Sequence, residues 1–164
     1  MEKTSAAIEL TSVREDDLPL VVELVGELAE YEQRRHEVLL EAPDLRAALF
    51  GSQKVCDALI ARVGGQPAGM AIWFFSFSTF RGRPNLYLED LFVRPAYRRF
   101  GVGRAIMARL AAVAGERGCG RLEWSVLAWN DPAIAFYRSL GAEPVAEWQA
   151  YQLSGAALAR LAGP

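Results

Sequence analysis

The sequence predicts a mixed α/β fold, and three observations predict it. Strand-like runs come first, folded back on each other around Gly64-Gly65-Gln66-Pro67. After them, strand-like and helical stretches alternate, the pattern of a layered α/β sheet. Two sharp helix starts punctuate the second half, Gly101-Val102-Gly103 and Asp131-Pro132. At 164 residues and 52% hydrophobic, the chain is long enough for one sizeable core, and residues 1–164 are expected to form a single domain.

The elements follow in order. Ile8 to Val13 reads as a short strand that ends in Arg14-Glu15-Asp16-Asp17. Asp16 or Asp17 can cap a helix, with Pro19 tolerated in its first turn. That helix runs to about Glu32, with Leu20, Leu24, Val25 and Leu28 on one face, until Arg34-Arg35-His36-Glu37 breaks the pattern. Pro43-Asp44 starts a second helix over Leu45 to Phe50, stopped by Gly51. Val55 to Val63 and Ala68 to Phe77 form a hairpin across the glycine turn. The loop Arg81-Gly82-Arg83-Pro84 leads into a strand from Leu86 to Val93.

A helix from Val102 to roughly Arg117 carries Val102, Ile106, Leu110 and Val113 on one stripe. Arg121 to Ala128 alternates Leu122, Trp124 and Val126 against Glu123 and Ser125, as a strand does. Asp131 as cap and Pro132 at the first helical position begin the next helix, and Gly141 ends it. Trp148 to Leu153 reads as a last strand and Gly155 to Ala162 as a short tail.

Composition narrows the function classes. A net charge of −2 argues against a general nucleic-acid surface. Cys56 and Cys119 form no Cys-x-x-Cys, and the single His36 leaves no histidine cluster for a metal, so no metal is expected. Met1 to Leu10 carries Glu2 and Glu9 and no long apolar segment, so no signal peptide is expected. No run approaches the roughly 18 apolar residues of a membrane span, and a cytoplasmic protein with reduced thiols is the expectation.

The stretch Arg98-Arg99-Phe100-Gly101-Val102-Gly103-Arg104 carries the chemistry. It lies between a strand and a helix start, where the first N–H groups lack internal partners and the helix dipole is positive. Glycine admits a close approach to the backbone, so the stretch suits an anion, most often a phosphate. A P-loop needs Gly-x-x-x-x-Gly-Lys-Ser/Thr, which the chain lacks. A dinucleotide fingerprint needs a third glycine where Ile106 stands, and glycines at the strand end, whereas seven residues separate Val93 from Gly101. A structural turn remains the plain alternative for a bare Gly-x-Gly.

The stretch fits Arg/Gln-x-x-Gly-x-Gly, the pyrophosphate motif of the GNAT acetyltransferases. Other segments extend the likeness along nearly the whole chain. They are Leu28-Ala29-Glu30-Tyr31-Glu32, Tyr87-Leu88-Glu89-Asp90-Leu91-Phe92-Val93, Trp129-Asn130-Asp131-Pro132-Ala133, and Phe136-Tyr137 with Gly141-Ala142. The chain resembles the diamine (spermidine/spermine) and thialysine acetyltransferase branch of that superfamily. The resemblance implies a mostly antiparallel mixed sheet splayed between its fourth and fifth strands, acetyl-CoA as cosubstrate, a small amine as acceptor, and commonly a homodimer. Two departures bear on the acceptor. Arg34-Arg35-His36 stands where polyamine-acetylating members tend to carry acids. Tyr151-Gln152-Leu153-Ser154-Gly155 followed by Ala159-Arg160-Leu161 is closer to the thialysine type.

The resemblance also implies a site. Coenzyme A is expected along Leu91, Phe92 and Val93, around Arg98, Arg99, Phe100, Gly101, Val102, Gly103 and Arg104, and at Asn130, Asp131, Pro132 and Ala133. Asn130 can cap a helix, bond the pantetheine arm, or both. Transfer from a thioester to an amine needs a neutral amine and a protonated leaving thiolate. Glu89 is expected to bind the amine and accept its proton, and Tyr137 to protonate the thiolate. Glu89 and its neighbour Asp90 should project from opposite faces of their strand, and either carboxylate could instead be structural. Tyr31, Glu32, Asp90, Glu123, Trp124, Ser125 and Glu147 are expected on the amine side. Direct transfer leaves no role for Cys119 as nucleophile. Acetylation of another small amine such as an antibiotic, and a non-catalytic coenzyme A-binding regulator, are the rival functions.

Overall fold

The computed structural model of the chain describes residues 7–163. Residues 1–6, part of the stretch read for a targeting signal, and residue 164 lie outside them. The chain divides into two compact units, one ending at Ser125 and one beginning at Val126.

The first unit is built on one five-stranded sheet in sequence order: β1 (Ile8–Ser12), β2 (Asp57–Val63), β3 (Gln66–Ser78), β4 (Arg83–Val93) and β5 (Leu122–Trp124). The first four strands pair antiparallel, and β5 pairs parallel with β4. The glycine turn between β2 and β3 works because Gly64 and Gly65 take φ of 57° and 78°, values that L side chains avoid. The β4–β5 ladder covers only Leu86–Leu88 against Leu122–Trp124, while β4 runs on to Val93. The two strands therefore part after Leu88, as the splayed sheet requires. The strand expected over Arg121 to Ala128 is cut to three residues at that parting.

Three helices cover this sheet. α1 (Leu18–Tyr31) and α2 (Ala42–Phe50) bury Leu18, Val21, Leu24, Leu45 and Leu49 against Ala58, Ile60, Met70, Ile72 and Phe92. The alternate residues Leu59, Ala61, Ala71 and Trp73 are buried as well, so both faces of the central strands are covered. α3 (Val102–Glu116) contacts β1, β3, β4 and β5 and covers the second face. Its buried stripe is Val102, Ile106, Met107, Leu110 and Ala114, with Val113 only half-buried. Asp17 stands before α1 but does not cap it. Its carboxylate accepts from the Arg14 N–H (3.0 Å) and the Arg62 guanidinium (2.9 Å). Burial pushes the Asp17 pKa up, but those two donors outweigh it and hold the carboxyl below its usual range.

The second unit holds α4 (Asp131–Ser139) and α5 (Gly155–Ala162). The cap of α4 is Asn130 rather than Asp131: its side-chain oxygen accepts the Ala133 N–H at 3.3 Å, which moves Pro132 to the second helical position. Gly141, with φ of 87°, closes the helix, and the Ala142 N–H returns to the Tyr137 carbonyl. The expected strand Trp148 to Leu153 is irregular and exposed, and the expected tail from Gly155 is helical. An alternating run becomes a strand only beside a sheet edge, and no ladder includes these residues among those described.

Candidate active site

The site begins with an irregularity in β4. Ile72 pairs with Asp90 and Trp73 with Leu88, so Glu89 is an extra residue with no partner across the ladder. This is a β-bulge. Cross-strand partners share a face, so Asp90 stands on the α1–α2 face with Ile72, and Leu88 on the other with Trp73. The expected clean alternation of Glu89 and Asp90 is thereby corrected: the exposed Glu89 occupies the bulge itself, while Asp90 is largely buried.

The bulge also resets the backbone. The Arg94 N–H donates to the Ala68 carbonyl at 2.9 Å, and the Phe92 carbonyl lies only 2.3 Å from where a Cβ on Gly69 would stand. Phe92 and Arg94 thus turn their polar groups toward β3. By the alternation of an antiparallel ladder, Leu91 and Val93 turn theirs the other way. Among the described residues, no strand covers that edge beyond Leu88. Leu91 and Val93 thus present backbone groups along an open edge, as the pantetheine arm would need. Phe92 between them has its ring in the core, 4% exposed, and supports the edge from below.

Three acids gather beside the bulge. Burial, then the charges of Glu89 and Glu32, push the Asp90 carboxyl up to about 6. Burial also raises Glu32, against the pull of Arg34. Burial and Asp57 raise the Cys56 thiol, with Glu89 adding to the shift. Glu32 caps the C-terminal end of α1, one residue after Tyr31. The Arg98 guanidinium lies over the Tyr31 ring, 4.7 Å from its centroid. The next turn carries Arg34, whose guanidinium bonds Glu37 at 2.9 Å, and Arg35, which makes no ion pair among the described residues.

α3 starts as an anion site would. Gly101 precedes it with φ of 85°, and Arg99 takes a φ of 68°, rare for a side-chain-bearing residue. The first helical bond is Ala105 N–H to the Gly101 carbonyl. The N–H groups of Val102, Gly103 and Arg104 therefore lie outside the helical ladder. Arg99, Phe100 and Arg104 are exposed around them. Arg98 is exposed as well, but its side chain is engaged: its Nε donates to the Val93 carbonyl at 3.0 Å, and its backbone N–H bonds the Pro95 carbonyl.

The remaining first-unit residues stand where β4 and β5 pair. Glu123 lies opposite Tyr87 and bonds Arg121 at 3.0 Å, Trp124 lies opposite Leu88, and the Ser125 hydroxyl meets the Tyr87 hydroxyl at 3.0 Å. In the second unit, Tyr137 is half-buried on α4 with its ring 5.2 Å from that of Phe136. Asn130 is buried and committed as a cap, and the amides of Asp131 and Ala133 share that helix start. Glu147 lies exposed in the irregular segment.

Sequence reasoning missed the bulge, Cys56 beside Glu89, and the stacking of Arg98 on Tyr31. The bulge had one faint signal: two adjacent carboxylates in an apolar run break the alternation of a regular strand. The stacking joins residues far apart in sequence and had none.

The Acetyltransferase (GNAT) family pattern matches residues 21–142. A thialysine N-epsilon-acetyltransferase of Bos taurus is 36% identical, over 96% of this chain and 99% of the relative. One from Caenorhabditis elegans is 34% identical, over 94% and 96%. An integron cassette protein from the mobile metagenome of V. cholerae superposes with a TM-score of 0.80 at 26% identity, over 96% of this chain and 98% of that one. The chain belongs to the GNAT family of acetyltransferases.

Proposed function

We propose that this N-acetyltransferase moves the acetyl group of acetyl-CoA directly to the side-chain amine of a small, lysine-like amino acid or short diamine. The observation that carries the proposal is the bulge at Glu89, because one irregularity supplies both halves of the site. It turns the backbone of Leu91 and Val93 to the open edge for the pantetheine arm. It also sets Glu89 and Asp90 beside Glu32 for an ammonium ion. The N–H groups at the α3 start would hold the pyrophosphate, with Arg99 and Arg104 at its rim. The donor set there fits a phosphate and lacks the third glycine of a dinucleotide site.

The roles follow from the protons that must move. An alkylammonium has a pKa of about 10.4 and must lose a proton before it attacks. Glu89, exposed in the bulge, accepts it directly or through water. As nitrogen bonds to the acetyl carbon and the sulfur leaves, Tyr137 donates its phenolic proton to the thiolate. Tyr31, Glu32 and Asp90 hold the amine end. The positive turn at Arg35 favours an acceptor with a carboxylate over a long polycation, and the names of the relatives point the same way. We further propose that the two units act as one domain, that the enzyme works as a homodimer, and that it is cytoplasmic.

Titration calorimetry tests the first half of this reading. Coenzyme A is expected to bind and NAD not; equal or tighter NAD binding would contradict it.

A further inference from the structure

Arg98 belongs by sequence to the coenzyme loop, yet its side chain reaches out of it. Its guanidinium carbon sits 4.7 Å from the centroid of the Tyr31 ring and 6.0 Å from that of Phe92. Its Nε donates to the Val93 carbonyl at 3.0 Å. One side chain therefore touches the last turn of α1, the core ring beneath it, and the last residue of the open β4 edge. We propose that Arg98 is a positioning residue for the acceptor side. It clamps Tyr31, and with it the helix end that carries Glu32, to the coenzyme-bearing end of β4. Amine recognition then depends on a residue whose sequence position assigns it to the coenzyme. The inference rests on the functional reading above and adds a specific link between its two halves.

The geometry explains why arginine is needed. A planar guanidinium can lie flat on an aromatic ring while its Nε–H points sideways to a carbonyl; a lysine ammonium keeps the charge but cannot stack flat on the ring and donate from a fixed sideways position at once. The Val93 carbonyl is taken by this bond, which leaves the Val93 N–H and the Leu91 groups as the polar contacts of the edge. The clamp falls at the close of α1, where the backbone turns through Gln33 with φ of 60° and the Arg34 N–H returns to the Ala29 carbonyl at 2.7 Å.

A double-mutant cycle on the intact enzyme tests the clamp, with Arg98→Lys and Tyr31→Leu alone and together. Arg98→Lys is expected to raise the amine KM about 2- to 5-fold, the range of one exposed cation–π contact expressed as a ratio. The acetyl-CoA Kd should change less. In the Tyr31→Leu background, Arg98→Lys should add less than about a factor of two, because the shared contact is already gone. Additive effects on the amine KM would overturn the proposal. So would a raised acetyl-CoA Kd with an unchanged amine KM, since Arg98 would then be a coenzyme ligand only. The Arg98 Nε–H resonance gives a readout independent of turnover. It should shift when Tyr31 becomes Leu, because the ring no longer lies under the guanidinium; indifference to Tyr31 would also overturn the clamp. A wild-type protein that acetylates no amine would instead refute the functional reading, with the resonance still deciding the clamp.

Discussion

Two acids of the first unit respond to pH with opposite signs. The Asp90 carboxyl titrates near 6 when folded, above an unfolded carboxylate. Between about pH 4 and pH 6 the folded state therefore holds the extra proton, and stability falls as pH rises through that window. Asp90→Asn should remove that fall, so denaturant unfolding at pH 4, 5 and 7 should show a flatter profile than wild type. Asp17 behaves the other way, because its folded pKa is lowered. The stability it contributes is present above the unfolded carboxylate pKa and is lost as pH falls through the folded one. Asp17→Asn should destabilise the protein at pH 7 and bring its acid unfolding closer to neutral. Tyr137→Phe keeps the ring beside Phe136 and deletes only the hydroxyl. Rapid-quench or steady-state assays should find kcat down about 100- to 10,000-fold with acetyl-CoA affinity nearly unchanged. Residue identities of this kind were legible in the sequence; their settings were not. Glu89 and Asp90 were visible as two acids in an apolar strand. Which of them is buried depends on the bulge, a ladder defect set by pairing with a strand more than ten residues away.

At the scale of elements, the start of α3 and the end of β4 do most for the site. Gly103→Val places a branched side chain among the first N–H groups of α3. Acetyl-CoA binding should weaken sharply by calorimetry. Gly101→Val should lower both binding and stability, because φ of 85° is costly for a β-branched residue. Gly69→Ala probes the other element. Its Cβ would meet the Phe92 carbonyl at 2.3 Å and must push β3 and β4 apart beside the open edge. Unfolding should show a loss on the order of 1–3 kcal/mol, with weaker acetyl-CoA binding. Most elements were legible because their punctuation is local: the paired glycines before β3, Gly101 before α3, and Asn130-Asp131-Pro132 before α4. The exceptions share one cause. A short alternating run such as Trp148 to Leu153 has the period of a strand but needs a neighbouring edge, and the sequence of one segment does not say whether that edge exists.

For the molecule as a whole, the GNAT sheet and its splay follow from the brief β4–β5 pairing, and the family follows from motif, fold and relatives together. The acceptor is a matter of charge distribution across several elements. On the proposed reading, the acids on α1 and β4 attract an amine, and Arg35 on the turn after α1 disfavours a second distant one. Family resemblance reached the reaction because glycine spacing and the β4 acids are local; it reached the acceptor only through Arg34-Arg35-His36 and the segment from Tyr151 to Leu161. The central claim is tested most directly by measuring kcat/KM for acetyl transfer from acetyl-CoA to thialysine, a short diamine and spermine, with products identified by mass. The account predicts transfer to the side-chain amine of thialysine, or to the short diamine, at higher kcat/KM than to spermine. A strong preference for spermine, or no transfer to any of the three, would contradict it.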